Sequence, residues 1–152
     1  MCIRFIIEIM IKRKDNKMRY IKDNGGREKY FQVKFKKDLT SDCVIRAIAI
    51  ATKNDYKEVM TELFKIGLEI GQMPNNKKCY EIYLNKLGWE KHKPIRKVNG
   101  KKYKVKNMPI DHTNMIVHTS KHLTTIIQGN LHDTWDCREW CANSYYIKGA
   151  SQ

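Results

Sequence analysis

A cysteine, a histidine and two aspartates are spaced along this chain in a way that could do nucleophilic chemistry. Cys43 stands in the stretch TSDCVIRAIAIAT, residues 40–52. Thr40, Ser41 and Asp42 are cap-forming residues. Val44, Ile45, Ala47, Ile48, Ala49, Ile50 and Ala51 read as the apolar helix that follows, so the thiol falls in the first helical turn. Backbone N–H groups without helical partners and the positive end of the macrodipole meet there, and both favour a thiolate. The plainer alternative is a small, half-buried cysteine packed at a helix start, with Asp42 and Arg46 forming an i, i+4 surface pair.

A thiolate nucleophile needs a base, and the base needs an orienting group. His122 opens the run HLTTIIQ, and Asp133 and Asp136 follow the Gly129-Asn130 punctuation, so a hairpin would bring histidine and carboxylate onto facing strands. The turn decides which carboxylate arrives. With Gly129 and Asn130 as a two-residue turn, His122 faces Cys137. Asp133 then shares its face but lies on the order of 13 Å along the strand. With a three-residue loop over 128–130 and Asn130 left-handed, His122 sits opposite Asp136. This register favours Asp136 as the orienter and leaves Asp133 as the alternative, reachable through a bulge.

The elements that must hold these groups follow from periodicity. Tyr56–Ile70 reads as a helix with Asp55 and Glu58 in a capping box and a stripe of Val59, Leu63, Ile66 and Ile70. Residues 77–87 read as another, with Tyr80, Tyr83, Leu84 and Leu87 inward. Strands are expected over 30–35, Met115–Thr119, 122–128, 131–135 and 144–147. Helices early and antiparallel strands late make an α+β domain. Residues 1–17, an apolar run followed by charges, read as an N-terminal extension to one domain over 18–152.

The chain of 152 residues carries a formal charge of +14 with 41% hydrophobic residues. That balance fits a globular domain and draws it toward nucleic acid, anionic surfaces or acidic partners without naming one. Residues 91–106 hold eight basic residues and no acid around Asn99-Gly100. They read as a basic hairpin in which Lys101, Lys102 and Lys104 would grip phosphates without sequence preference. Five cysteines, odd in number and irregularly spaced, read as reduced thiols in a cytoplasmic protein. A zinc set built from Cys137 and Cys141 with His132, and Cys79 or His118, lacks a second paired motif. No metal, cofactor or transmembrane segment is expected.

Taken together, DCVIRA and HLTTIIQGNLHDTWD resemble the papain-like cysteine peptidase superfamily. The likeness, over 37–148, is greatest to small uncharacterised phage and prophage proteins with D-C-x-x-R-A and H-x-x-x-x-x-x-G-x-x-x-D-x-W-D motifs. The resemblance implies a papain-like fold, with helices including the Cys43 helix packed on the C-terminal sheet. It implies cysteine-dependent hydrolysis or acyl transfer at a peptide or related bond, with Cys43 as nucleophile, His122 as base and Asp136 or Asp133 as orienter. The DTW triplet is similar to the Asn-Ser-Trp around papain's orienting residue, which favours Asp133. Such enzymes usually carry a glutamine just before the cysteine as an oxyanion donor. Here those positions are Lys37, Asp38, Leu39 and Thr40, with Gln32 more distant. The alternative is a catalytically inactive papain-like fold serving as a basic binding protein for nucleic acid or an acidic partner.

Overall fold

Val44, Ile45, Ala47, Ile48, Ala49 and Ala51 bury most of the circumference of helix α1, Cys43–Thr52. A helix apolar nearly all round must be covered on more than one side. In the computed structural model, which describes Arg4 and residues 17–32, 40–109 and 113–150, α1 lies between a sheet and helix α2, Tyr56–Ile70. Asp55 caps α2 by accepting from the backbone N–H groups of Lys57 and Glu58 at 2.9 and 3.3 Å. Val59, Leu63 and Ile66 enter the core, whereas Ile70 at the last turn is exposed. Helix α3, Lys77–Lys86, is capped by Asn76 and adds Tyr80, Tyr83 and Leu84 to the same core.

Among the described residues six strands form one mixed sheet: β1 (Tyr20–Lys22), β2 (Trp89–His92), β3 (Met115–Thr119), β4 (His122–Ile127), β5 (Asn130–Asp133) and β6 (Ser144–Lys148). Their order is β1-β5-β4-β3-β6-β2. The architecture is α+β, and the late strands β3 to β6 pair antiparallel, but the sheet as a whole is mixed, because the early strand β1 runs parallel to β5. Strands β1 and β2 give little signal in sequence. β1 has three residues with no buried position, and β2 buries only Trp89. Of the strand expected over 30–35, residues 30–32 are not strand, and the remainder lies outside the described residues. The extension expected over 1–17 also lies outside them, apart from Arg4 and Lys17.

Strand alternation separates two cores. Ile116, Leu123 and Tyr146 face the helices, while Met115, Val117, Ile126, Leu131 and Tyr145 face a second core completed by Met18, Tyr103, Val105, Met108, Cys137 and Ala142. Gly25 lets the N-terminal segment turn tightly against α1. Its φ is +67°, and a Cβ there would lie 3.1 Å from the Arg46 carbonyl oxygen. That turn delivers Arg27 to the start of α1.

The β4–β5 hairpin has a register that neither expected turn gives. Ile127 pairs with Asn130, Ile126 with Leu131 and Thr125 with His132. The two-residue turn is therefore Gln128-Gly129, both with positive φ, 47° and 79°. Glutamine is an unusual occupant of the first position. It is held there by Asn114, whose Oδ1 accepts the Gln128 N–H at 3.2 Å, a tertiary contact with no local signal. Continued one step, this pairing sets Thr124 opposite Asp133, so Asp133 becomes a same-face diagonal neighbour of His122.

Candidate active site

The first residue of α1 and the first residue of β4 meet at the beginning of that strand. Cys43 lies within hydrogen-bonding reach of the His122 ring and of the Leu123 backbone N–H. Burial alone would raise its thiol pKa. The hydrogen bonds from His122 and Leu123 and the His122 and Arg46 charges outweigh that and bring it below the ordinary value. Asp42 makes no capping hydrogen bond to the helix, so its carboxylate does not occupy the first-turn N–H groups.

On the other side of the ring, His122 Nε2 lies 2.7 Å from Asp133 Oδ2, with both side chains buried. Burial disfavours the imidazolium, but the hydrogen bonds with Asp133, Cys137 and Cys43 and the Asp133 charge push the His122 pKa up to about 11. Asp133 goes the other way. Its burial penalty is outweighed by the His122 hydrogen bond, and its pKa falls below the usual carboxylate value. The arrangement favours a thiolate–imidazolium–carboxylate row. Trp135 lies over the histidine, ring centroids 4.6 Å apart, and Trp140 meets Trp135 edge-on at 5.1 Å. The indole keeps water off one side of the His122–Asp133 contact, which strengthens it.

The preference for Asp136 as orienter is corrected. Asp136 is exposed and held by Arg138 in a fork, Nε to Oδ1 at 2.8 Å and Nη2 to Oδ2 at 2.7 Å. The Gln128-Gly129 turn is the physical reason, since it brings Asp133 to His122 without a bulge. Asp133→Asn is therefore expected to lower the His122 pKa by about 1 to 3 pH units, and Asp136→Asn to leave it nearly in place. NMR titration of the His122 ring checks this, and a larger drop in Asp136→Asn would contradict the geometry.

The surface role expected for the Asp42–Arg46 pair is also corrected. Both residues are buried, and they form a close ion pair. Arg46 extends past Asp42 to Asp133, Nη2 to Oδ1 at 3.6 Å, so one guanidinium ties the helix start to the hairpin carboxylate. Asp42 also accepts from the Tyr56 hydroxyl at 2.6 Å, from Arg27 Nη1 at 3.1 Å and from Thr40. Tyr56 and Arg27 were not legible as site residues, and neither was Trp135 as more than part of a motif. Their sequence surroundings carry a helix start, a turn and a loop, and only the fold joins them.

The other candidates separate. Gln32 is exposed and borders residues 33–39, which lie outside the described residues together with Lys37, Asp38 and Leu39. The basic hairpin exists at its tip, with Arg96 bridging Lys102 around Asn99-Gly100. Lys101 is exposed there. Lys102 reaches Asn143 Oδ1 at 2.6 Å, and Lys104 pairs with Glu139 at 2.7 Å, a carboxylate that also takes Lys106. Tyr103 packs into the second core. Of the zinc alternative, Cys141 is exposed, Cys79 donates to the Met73 carbonyl at 3.2 Å, and His132 pairs with Asp23 at 3.1 Å. Cys137 alone comes to the site. The four described cysteines are free thiols. Among the described residues no helix is long and apolar enough to cross a membrane. No protein-family model matches the chain, and neither a curated protein nor a solved structure matches it.

Proposed function

We propose that the protein is a cysteine-dependent hydrolase or acyltransferase of the papain-like kind, acting on an amide, peptide or related acyl bond. The observation that carries this reading is the buried His122 shared between Asp133 at 2.7 Å and the helix-start thiol of Cys43. The Cys43 thiolate attacks the acyl carbon, and the first-turn N–H groups of α1 receive the developing oxyanion. His122, protonated at the ring nitrogen facing Cys43, gives that proton to the leaving amine, and a thioester to Cys43 remains. Water, or an acceptor amine or hydroxyl, then attacks the thioester. His122 takes up its proton as Cys43 leaves as thiolate. Asp133 keeps the ring oriented and stabilises its charge throughout.

Incubation with p-nitrophenyl acetate tests the nucleophile. The expected result is a mass gain of one acetyl group on Cys43, resolved by hydroxylamine and lost in Cys43→Ser. Acetylation confined to lysines, with Cys43 unmodified and the protein folded, would remove the proposal's basis.

A further inference from the structure

Cys137 stands outside the row just described and touches its far end. Its sulfur is fully buried and lies 3.9 Å from Asp133 Oδ2, within hydrogen-bonding reach of the His122 ring as well. Nε2 of His122, Oδ2 of Asp133 and the Cys137 sulfur therefore form a triangle of buried donor atoms. Among the described residues these three bring one ligand atom each within 4.8 Å of the others. We propose that His122, Asp133 and Cys137 form a binding site for a thiophilic divalent cation of the Zn2+ class, and that its occupation switches the Cys43 nucleophile off.

One thiolate, one imidazole and one carboxylate select a borderline-soft ion over Mg2+ or Ca2+. Tetrahedral zinc, with bonds of about 2.0 to 2.3 Å, sets its ligand atoms about 3.3 to 3.6 Å apart. The carboxylate and the imidazole must part by about half an ångström, and the sulfur must close by a little less on the carboxylate and from a separation within 4.8 Å on the imidazole, movements that side-chain rotation supplies. The fourth position is left to water. The ion displaces two protons, one from the Cys137 thiol and one from His122 Nε2, so two positive charges replace two. His122 is then a neutral imidazole carrying hydrogen only on the nitrogen that faces Cys43. It can neither accept the thiol proton nor present an imidazolium to the thiolate. The site does not depend on the hydrolase reading; its consequence for Cys43 chemistry does.

Titration of the reduced full-length protein with Co2+ tests the site. A sulfur-to-cobalt charge-transfer absorption is expected in the wild type and in Cys43→Ser, and is expected to vanish in Cys137→Ser. Zn2+ should displace that absorption and slow iodoacetamide modification of Cys43 about tenfold, because the thiolate loses its imidazolium partner. A chelator should restore the rate. Independently of the Cys137 variant, Zn2+ should shift the His122 ring resonances of Cys43→Ser in the NMR spectrum. No absorption in the wild type, an absorption that follows Cys43 instead of Cys137, or unshifted His122 resonances would each overturn the proposal. An inert Cys43 in metal-free protein that still gives the Cys137-dependent absorption would instead defeat the hydrolase reading and leave the metal site standing.

Discussion

Arg46→Met is expected to lower the unfolding free energy by about 3 kcal/mol near neutral pH. Arg46 is 7% exposed, and its carboxylate partners Asp42 and Asp133 are 4% and 3% exposed, so the variant strands two charges away from water. The lower end of the range for breaking a buried pair applies, because Tyr56 and Arg27 still serve Asp42 and His122 still serves Asp133. Methionine keeps much of the side-chain volume, which separates the loss of charge from a cavity. The sign of the pH dependence is a second check. Both carboxylates have depressed pKa values in the folded protein: burial opposes this, and hydrogen bonds and neighbouring cations outweigh it. Their stabilising contribution is therefore present above the unfolded pKa and lost as pH falls through the folded one. In Arg46→Met that contribution is already diminished at neutrality, so the two proteins should converge in acid. Urea unfolding at about pH 7 and about pH 2.5, the second below the pKa of an unfolded aspartate, measures both effects. A gap that stays constant across this range would assign the loss to packing, with no electrostatic link between α1 and the hairpin.

Helix periodicity was legible because each helix satisfies a local rule. Asp55 and Asn76 cap where their residue types predict, and the apolar stripes of α2 and α3 are the faces that are buried, apart from Ile70 at the end of α2. Cys43 could be placed in a first turn for the same reason. Strand register did not reveal which carboxylate meets His122, although the DTW resemblance favoured Asp133, because the register depends on the side-chain amide of Asn114 holding Gln128 in a left-handed conformation, a contact across 14 positions. A shift in the turn moves every cross-strand partner, and that shift alone separates Asp136 from Asp133. Read as i, i+4 neighbours, Asp42 and Arg46 suggest only a solvated pair. Burial by Tyr56 and the N-terminal turn converts the same spacing into the link between the two halves of the site. The basic hairpin shows the converse. Its composition was clear, yet Glu139, 33 and 35 positions away, neutralises part of it.

His122→Gln is expected to slow iodoacetamide modification of Cys43 about a hundredfold near pH 6, while leaving the fold intact. In the wild type the thiol pKa is lowered despite burial, and His122 supplies both a hydrogen bond and a charge toward that shift. Glutamine retains a donor of similar reach and removes the charge. What remains is the Leu123 N–H, the Arg46 charge and the helix start, against an unchanged burial penalty, so the balance moves toward the neutral thiol. Each unit of increase lowers the thiolate fraction about tenfold at a pH below the thiol pKa, which sets the scale of the expected factor. The distinguishing feature is the pH profile. Wild-type labelling should rise through the lowered Cys43 pKa and then level off. The variant should start far lower and recover as pH increases, because hydroxide restores the thiolate that histidine no longer stabilises. A general loss of structure would expose the thiol and move labelling the other way, toward the rate of an ordinary free cysteine. Rates that coincide for wild type and His122→Gln at every pH would mean that the histidine does not activate Cys43. The Asp133–His122 pair would then be a buried structural contact beside an ordinary helix-start cysteine, and the hydrolase proposal would lose its base.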